Sequence, residues 1–208
     1  LDAKYGVVSA EIDHVALRKG DDVAVSLTRK GGGYGIVVRG ASFDARGLIA
    51  SFKQGGATPN EAAPDLAIDA RIDQIAGFGK ATLAKAALVI ETSGGTVDRA
   101  TLKGSLPGGP ITMTYTDAGS GGASLDLQSA DAGNTIAFVD LYRRISGGQL
   151  RLTGTRSGAR GAMNGVFDIA QFAIVDEASM RKLVSASTGT GENAQPSGLN
   201  PDHVPFDR

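Results

Sequence analysis

Hydrophobic and polar residues alternate along most of the chain, in short runs separated by glycine-rich turns. The alternation is clearest in region 65–127, where Leu66, Ile68 and Ile72 fall on one side and Asp69 and Arg71 on the other. Such alternation is typical of strands with one buried face and one solvated face. The turns recur at fairly even spacing, so the sequence predicts a mostly β fold built as an extended antiparallel meander.

Three segments change to a helical period, which predicts three short helices within the β fold. The first covers 41–53 with Asp44 as its N-cap, and the second begins at the N-cap Asp131. We expect Gly147-Gly148 to end the second helix. The third is predicted over 176–187. The second helix has an apolar stripe formed by Phe138, Leu141, Tyr142 and Ile145.

The apolar side of the predicted sheet must be covered by a second sheet, by helices or by a bound apolar ligand. Only 5% of the residues are aromatic and there is no Trp, so few bulky side chains are available to fill a core. This scarcity makes a bound ligand worth considering. The residues predicted to line the apolar face share one side of the alternation and are Leu66, Ile68, Ile72, Leu88, Ile90, Leu102, Ile111, Met113, Leu125, Leu127, Leu150, Leu152, Phe167 and Ile169.

The overall composition excludes several classes of function. A net charge of −1 provides no electrostatic footprint for nucleic acid. The absence of Cys excludes disulfides, thiolate metal sites and cysteine nucleophiles. The sequence has no apolar run of about 18 residues that would span a membrane. The chain opens on Leu1 with residues that already resemble a strand, so we expect it to be a piece of a longer protein.

No constellation of residues predicts catalysis, a metal or a cofactor. The two histidines, His14 and His203, lie far apart in sequence, and no G-x-S-x-G motif occurs. The run Lys30 to Gly35 resembles a phosphate-binding loop, but its lysine precedes the glycines and two strands flank it, which favours a hairpin. Asp69, Arg71 and Asp73 alternate along one strand, which favours a surface ion-pair row over acid–base chemistry.

The pair Arg143-Arg144 allows two interpretations. In the last turn of the second predicted helix, two cations would interact favourably with the helix dipole. They could instead contact an anionic partner such as a lipid headgroup. We favour the capping role.

Several blocks of the chain resemble the C-terminal region of AsmA-like proteins, and within them the YhdP-type branch of alphaproteobacteria. These blocks are Ser129-Ala-Asp-Ala-Gly133, the run from Leu141 to Leu150, the run from Gly165 to Ser185, and the segment Val38 to Ile49. Their order and spacing match over roughly residues 36–208. Two departures are Ala178, where the family often has proline, and the polar, glycine-rich stretch after Ser187.

This resemblance implies a groove-forming, curved β-sheet in a large periplasmic protein that is anchored in the inner membrane and extends towards the outer membrane. It implies phospholipid transfer between the membranes and support of the outer-membrane barrier. The partners would be phospholipid acyl chains and, through the full-length protein, both membranes. The family has no catalytic residues to transfer to this chain, so the expected protein is not an enzyme and needs no cofactor.

The resemblance divides the chain into a groove segment at 1–187, a flexible loop at 188–203 and the start of a further strand at 204–208. An alternative function is a structural or interaction β-sandwich domain of an envelope protein, without lipid transport. A glycan-binding β-domain would need exposed aromatic residues, and the low aromatic content argues against it.

Overall fold

A computed structural model describes residues 7–54, 62–158, 161–178, 182, 200 and 202–207, and these residues form one open, curved sheet of eleven strands. The fold is therefore mostly β, as the alternation predicts. The strands are β1 Ser9–Val15, β2 Asp22–Lys30, β3 Gly33–Asp44, β4 Leu66–Ala76, β5 Thr82–Ser93, β6 Thr96–Leu106, β7 Gly109–Asp117, β8 Ala123–Ser129, β9 Ile145–Arg156, β10 Asn164–Val175 and β11 His203–Phe206. The helices are α1 Arg46–Lys53, α2 Ala132–Phe138 and a short 3₁₀ turn at Gly119–Gly121.

The strands lie in the sheet in the same order as in the chain, with β1 and β11 at the two edges. Nine of the ten neighbouring pairs are antiparallel, but β3 and β4 are parallel, so the prediction of a wholly antiparallel sheet was wrong. The reason is α1, which lies between them in the chain. A parallel neighbour needs a crossover that carries the chain back to the start of the next strand, and a helix is its usual form.

Helix α2 is shorter than predicted, because it ends at Phe138 and not near Gly147-Gly148. Asp140 adopts a left-handed backbone with φ of 55°. Its N–H donates to the Ala137 carbonyl (3.0 Å), and the next N–H, that of Leu141, donates to the Ile136 carbonyl (3.1 Å). These two bonds form a Schellman motif, which ends the helix with an aspartate where glycine is usual.

The two glycines predicted to end α2 lie within β9 instead. Gly147 and Gly148 have φ of 65° and 86°, and the pairing of β9 with β10 is interrupted at Gly148 and Gln171. Two consecutive residues in left-handed backbone favour glycine, which explains this glycine pair.

Helix α1 begins later than predicted. Ala45 is its N-cap and makes no side-chain capping bond, while Asp44 is the last residue of β3. The described residues contain two α-helices rather than three. The third predicted helix, over 176–187, falls mostly outside the described residues, as does most of the predicted loop 188–203. No helix in the described parts of the chain has the length and apolar character needed to cross a membrane.

The hydrophobic core is small and lies at the end of the sheet nearest α2. Leu83, Ala86, Leu106 and Ile111 form its buried cluster, and Phe138 of α2 packs against it. Among the described residues no large side chain is less than 2% exposed. Most apolar side chains of the sheet are therefore only partly covered.

Candidate functional site

A continuous row of apolar side chains crosses ten strands of the sheet. Direct cross-strand partners lie on the same face, so the register of each pair can be followed from strand to strand. We call this row the apolar ladder. It has one residue on each of β1 to β10, namely Ile12, Val25, Val38, Ala70, Leu88, Leu102, Met113, Leu127, Leu152 and Phe167.

The register places all fourteen predicted lining residues on the face that carries the ladder, which we call the apolar face. Six of them belong to the ladder itself, and Leu66 lies two positions before Ile68 on β4. The others lie in the rows on either side of the ladder. One row contains Ile68, Ile90 and Leu125, and the other contains Ile72, Ile111, Leu150 and Ile169.

Four ladder residues were not among the predicted lining residues. They are Ile12, Val25, Val38 and Ala70. The alternation along β2 and β3 was the signal that could have identified Val25 and Val38. Ala70 falls on the same side of its strand as Ile68 and Ile72. The apolar face therefore reaches β1 and is wider than the prediction.

Most of the apolar face is only partly covered. Of the predicted lining residues, only Ile72, Ile111 and Leu150 are buried. Phe167, at the far end of the ladder, is 54% exposed, and Ile12 at the other end is 50% exposed. Isolated exposed apolar residues are normal, but a contiguous apolar surface marks an interaction site.

The length of the ladder sets what it can hold. Neighbouring strands lie about 4.8 Å apart, so ten strands span about 43 Å. This exceeds the hydrocarbon thickness of a bilayer, which is about 30 Å. An extended acyl chain thus fits along the apolar face with length to spare.

The opposite face of the sheet is mostly polar, although it also carries the exposed Val37, Val89 and Val166. Arg39 lies 2.9 Å from Asp69 across β3 and β4, and Arg151 lies 3.8 Å from Asp126 across β9 and β8. Arg71 also faces Asp69, at 3.7 Å, in keeping with the predicted ion-pair row. The side chains of these pairs are exposed, so this face is a solvated surface. Exposed ion pairs of this kind add little stability. A concavity of about 510 Å³ has the polar side chains of Thr112, Gln128, Arg151 and Asp168 in its wall, together with the apolar Pro110 and Ala170.

A buried polar network fixes α2 at one side of the apolar face. The Asp131 carboxylate is 2% exposed and accepts from the N–H groups of Gly108 (2.7 Å) and Asn134 (3.0 Å). It also accepts from the Asn134 side-chain amide (2.7 Å). The Thr135 hydroxyl donates to Ser129 Oγ (2.7 Å), which joins the helix to the end of β8. Phe138 is thereby held against the core cluster.

The rest of the predicted helix stripe is not on α2, because the helix ends at Phe138. Leu141 is 68% exposed, and Tyr142 donates its hydroxyl proton to Glu177 Oε2 (2.8 Å). This hydrogen bond raises the pKa of Tyr142. Ile145 is the first residue of β9. The prediction of one continuous apolar stripe along the second helix was therefore wrong.

The two arginines after α2 do not cap it. Arg143 lies 2.6 Å from Asp140 Oδ1, and Arg144 lies 3.3 Å from Glu177 Oε2. Both lie beyond the Schellman turn, so their charges belong to loop ion pairs and not to a helix terminus.

The side of the apolar face away from α2 ends in a concavity of about 440 Å³. Ala100, Met113 and Leu125 form its apolar wall, and Tyr115 lies in the same wall. Its polar end is an ion pair between Arg156 of β9 and Asp117 of β7, whose side chains are 18% and 6% exposed. The hydrogen bond from Arg156, helped by the Gly119 N–H at 2.9 Å, lowers the pKa of Asp117. Burial, together with nearby Asp117, raises the pKa of Tyr115.

The lowered pKa of Asp117 predicts a contribution to acid sensitivity. Its folded-state pKa lies below the unfolded value of about 3.9, so stability is full above that pH and falls as the pH drops towards the folded pKa. We expect Asp117→Asn to flatten the loss of stability below about pH 4. Urea unfolding at a series of acidic pH values measures it. Equal slopes in both proteins would contradict this assignment.

No group of three His, Cys, Asp or Glu side chains that could hold a metal occurs within the described ranges. His14 lies 3.4 Å from Asp22 on the exposed edge of the sheet, and His203 begins β11. The apolar face and its polar end are therefore the features that suggest a function. Comparisons with protein-family models, with curated proteins and with solved structures find no match for this chain.

Proposed function

We propose that the apolar face binds phospholipid acyl chains, as a segment of a periplasmic protein that transfers lipid between membranes and supports the outer-membrane barrier. The observation that carries the proposal is the apolar ladder, which runs uninterrupted across ten strands and stays partly exposed. The resemblance to AsmA-like proteins supplies the cellular setting. Anchoring to the inner membrane would come from the full-length protein.

The chemistry of the face suits reversible binding. Each methylene removed from water contributes about 0.8 kcal/mol, so about ten methylenes half-covered by the face contribute about 4 kcal/mol. A one-sided surface covers only part of the chain. A bound lipid can therefore move along the ladder, as transfer requires. The polar face on the other side keeps the sheet solvated.

A second candidate function is a structural or interaction domain in which another sheet packs on the apolar face. The exposure of the ladder also suits this function, because two packed sheets lie about 10 Å apart and bury their facing rows. The described residues contribute one sheet, so the second would come from another part of the protein or from a partner. Direct measurement of lipid binding separates the two candidates.

Two neighbouring residues on β7 provide a matched test. Met113 belongs to the ladder and is half-buried, whereas Thr112 is exposed on the polar face between Lys103 and Gln128. We expect Met113→Glu to weaken binding of a fluorescent phospholipid at least tenfold, because a charge in the ladder must be desolvated when an acyl chain covers it. Thr112→Glu, which gains Lys103 as a neighbour, should bind as the wild type does. Fluorescence titration measures both affinities.

Native mass spectrometry of the wild-type chain after incubation with phospholipid vesicles complements the titration. The proposal expects bound phospholipid in the wild type and in Thr112→Glu, and little in Met113→Glu. A wild-type chain that takes up no lipid would reject acyl-chain binding by this face and leave the second candidate.

A further inference from the structure

The concavity at the end of the apolar face combines two kinds of surface. Ala100, Met113 and Leu125 belong to the rows that form the apolar face, so its apolar wall is continuous with the ladder. Arg156 and Asp117 form its polar end. An amphipathic ligand lying on the ladder would meet this pair of charged side chains on passing into the concavity.

The hydrogen-bond inventory of Arg156 leaves donors available. A guanidinium has five N–H donors. One at Nη2 is used by Asp117 and the Nε–H by the Gly158 carbonyl (3.2 Å). Even if the neighbouring Tyr115 hydroxyl accepts a third, two N–H groups have no acceptor among the described residues. Arginine N–H donors form strong, charge-assisted hydrogen bonds with phosphate oxygens.

Asp117 is the anion that faces Arg156, and its bonding decides whether a second anion is tolerated. Its carboxylate accepts from Arg156, from the Gly119 N–H (2.9 Å) and from the Tyr115 hydroxyl (3.3 Å). Three donors therefore compensate its charge. Asp117 also orients the guanidinium, because its carboxylate accepts a hydrogen bond from Nη2.

We propose that Arg156 binds the phosphate of a phospholipid headgroup while the acyl chain lies on the apolar face. Tyr115 and Asp117 are positioning residues that hold the guanidinium at the mouth of the concavity. This site rests on the proposed function, since it needs an acyl chain on the ladder. It adds that the protein distinguishes lipids by a phosphate and that the headgroup lies on the side of the face opposite α2.

The test compares two single-chain lipids that differ only in the phosphate: lysophosphatidic acid and the monoacylglycerol of the same chain length. We expect wild-type protein to bind lysophosphatidic acid about tenfold more tightly, because a charge-assisted hydrogen bond is added. Arg156→Gln should remove this preference, because it weakens the binding of lysophosphatidic acid much more than that of monoacylglycerol. Arg99→Gln, which alters an arginine 59% exposed beside Glu91 on the polar face, should keep the preference. Fluorescent-lipid displacement gives all affinities.

The outcomes separate the headgroup site from acyl binding. Equal wild-type affinity for both lipids overturns the phosphate site and leaves the proposed function standing. Binding of neither lipid overturns both. Displacement of lysophosphatidic acid by millimolar inorganic phosphate would mean a free-phosphate site and overturn the headgroup assignment. Arg156→Lys retains the positive charge, so it should keep part of the preference. The wild-type comparison decides the matter even if Arg156→Gln fails to fold.

Discussion

Replacing Asp131 by alanine is expected to destabilise the chain by about 3 kcal/mol, the sum of a lost helix N-cap and unsatisfied buried donors. The carboxylate is 2% exposed and accepts three hydrogen bonds, two from Asn134 and one from the Gly108 N–H. Alanine cannot accept any of them, and the Gly108 and Asn134 N–H groups would lose their partner. Urea unfolding at neutral pH measures the loss.

Asp126→Ala is the matched control. Asp126 lies on β8, close in sequence to Asp131, but on the polar face, where its side chain is 44% exposed and lies 3.8 Å from Arg151. Loss of such an exposed pair costs at most about 1 kcal/mol. If Asp131→Ala and Asp126→Ala lowered the free energy of unfolding by the same small amount, the polar network would not be what fixes α2.

The Asp131 network also matters for the apolar face. It holds α2 so that Phe138 packs on the core cluster of Leu83, Ala86, Leu106 and Ile111. The residues of that cluster are buried, and α2 covers this side of the apolar face, whereas the other side has an open concavity. The closed side supplies stability, and the open side supplies the surface that we propose for lipid.

The faces of the sheet could be predicted because strand periodicity is local. A side chain two positions along a strand lies on the same face, so alternation in each run assigns its residues without knowledge of neighbouring strands. Pairing in sequence order then brings the assigned faces together. For this reason the register places Leu66 of β4 and Ile169 of β10 on the same face.

The end of α2 could not be predicted because it depends on one backbone conformation. The apolar positions Leu141 and Ile145 continue a helical period past Phe138, and Gly147-Gly148 resembles the glycine signal that ends a helix. The chain instead turns at Asp140, whose carboxylate is held by Arg143 (2.6 Å). An aspartate in the left-handed region is uncommon, so the sequence alone favours Gly147-Gly148 over Asp140 as the end of the helix.

The parallel pair and the Asp117–Arg156 pair escaped prediction for a related reason. Both depend on contacts between distant parts of the chain, since 39 positions separate Asp117 from Arg156. Alternation assigns a residue to a face, but it does not say which charged residues meet across strands. The proposed phosphate site could therefore be found only once the register was known.

Gly133→Ala in α2 is expected to destabilise the chain by about 2 kcal/mol, although alanine favours a helix over glycine by about 1 kcal/mol. A Cβ at Gly133 would lie 2.4 Å from the Ile145 carbonyl oxygen. That oxygen is backbone of β9, so α2 must move off the sheet. Gly47→Ala in α1 is the control: its Cβ would meet the end of the Arg18 side chain at 3.0 Å, which can move aside.

Gly47→Ala should therefore be neutral or stabilising by up to about 1 kcal/mol, so the same substitution has opposite signs in the two helices. Thermal and urea unfolding of both variants measure the difference. Movement of α2 would also uncover the core cluster beside Phe138, so Gly133→Ala should bind more of a dye specific for apolar surface, while Gly47→Ala should not. Stabilisation by both substitutions would show that α2 does not pack closely on β9, and the closed side of the apolar face would then be open.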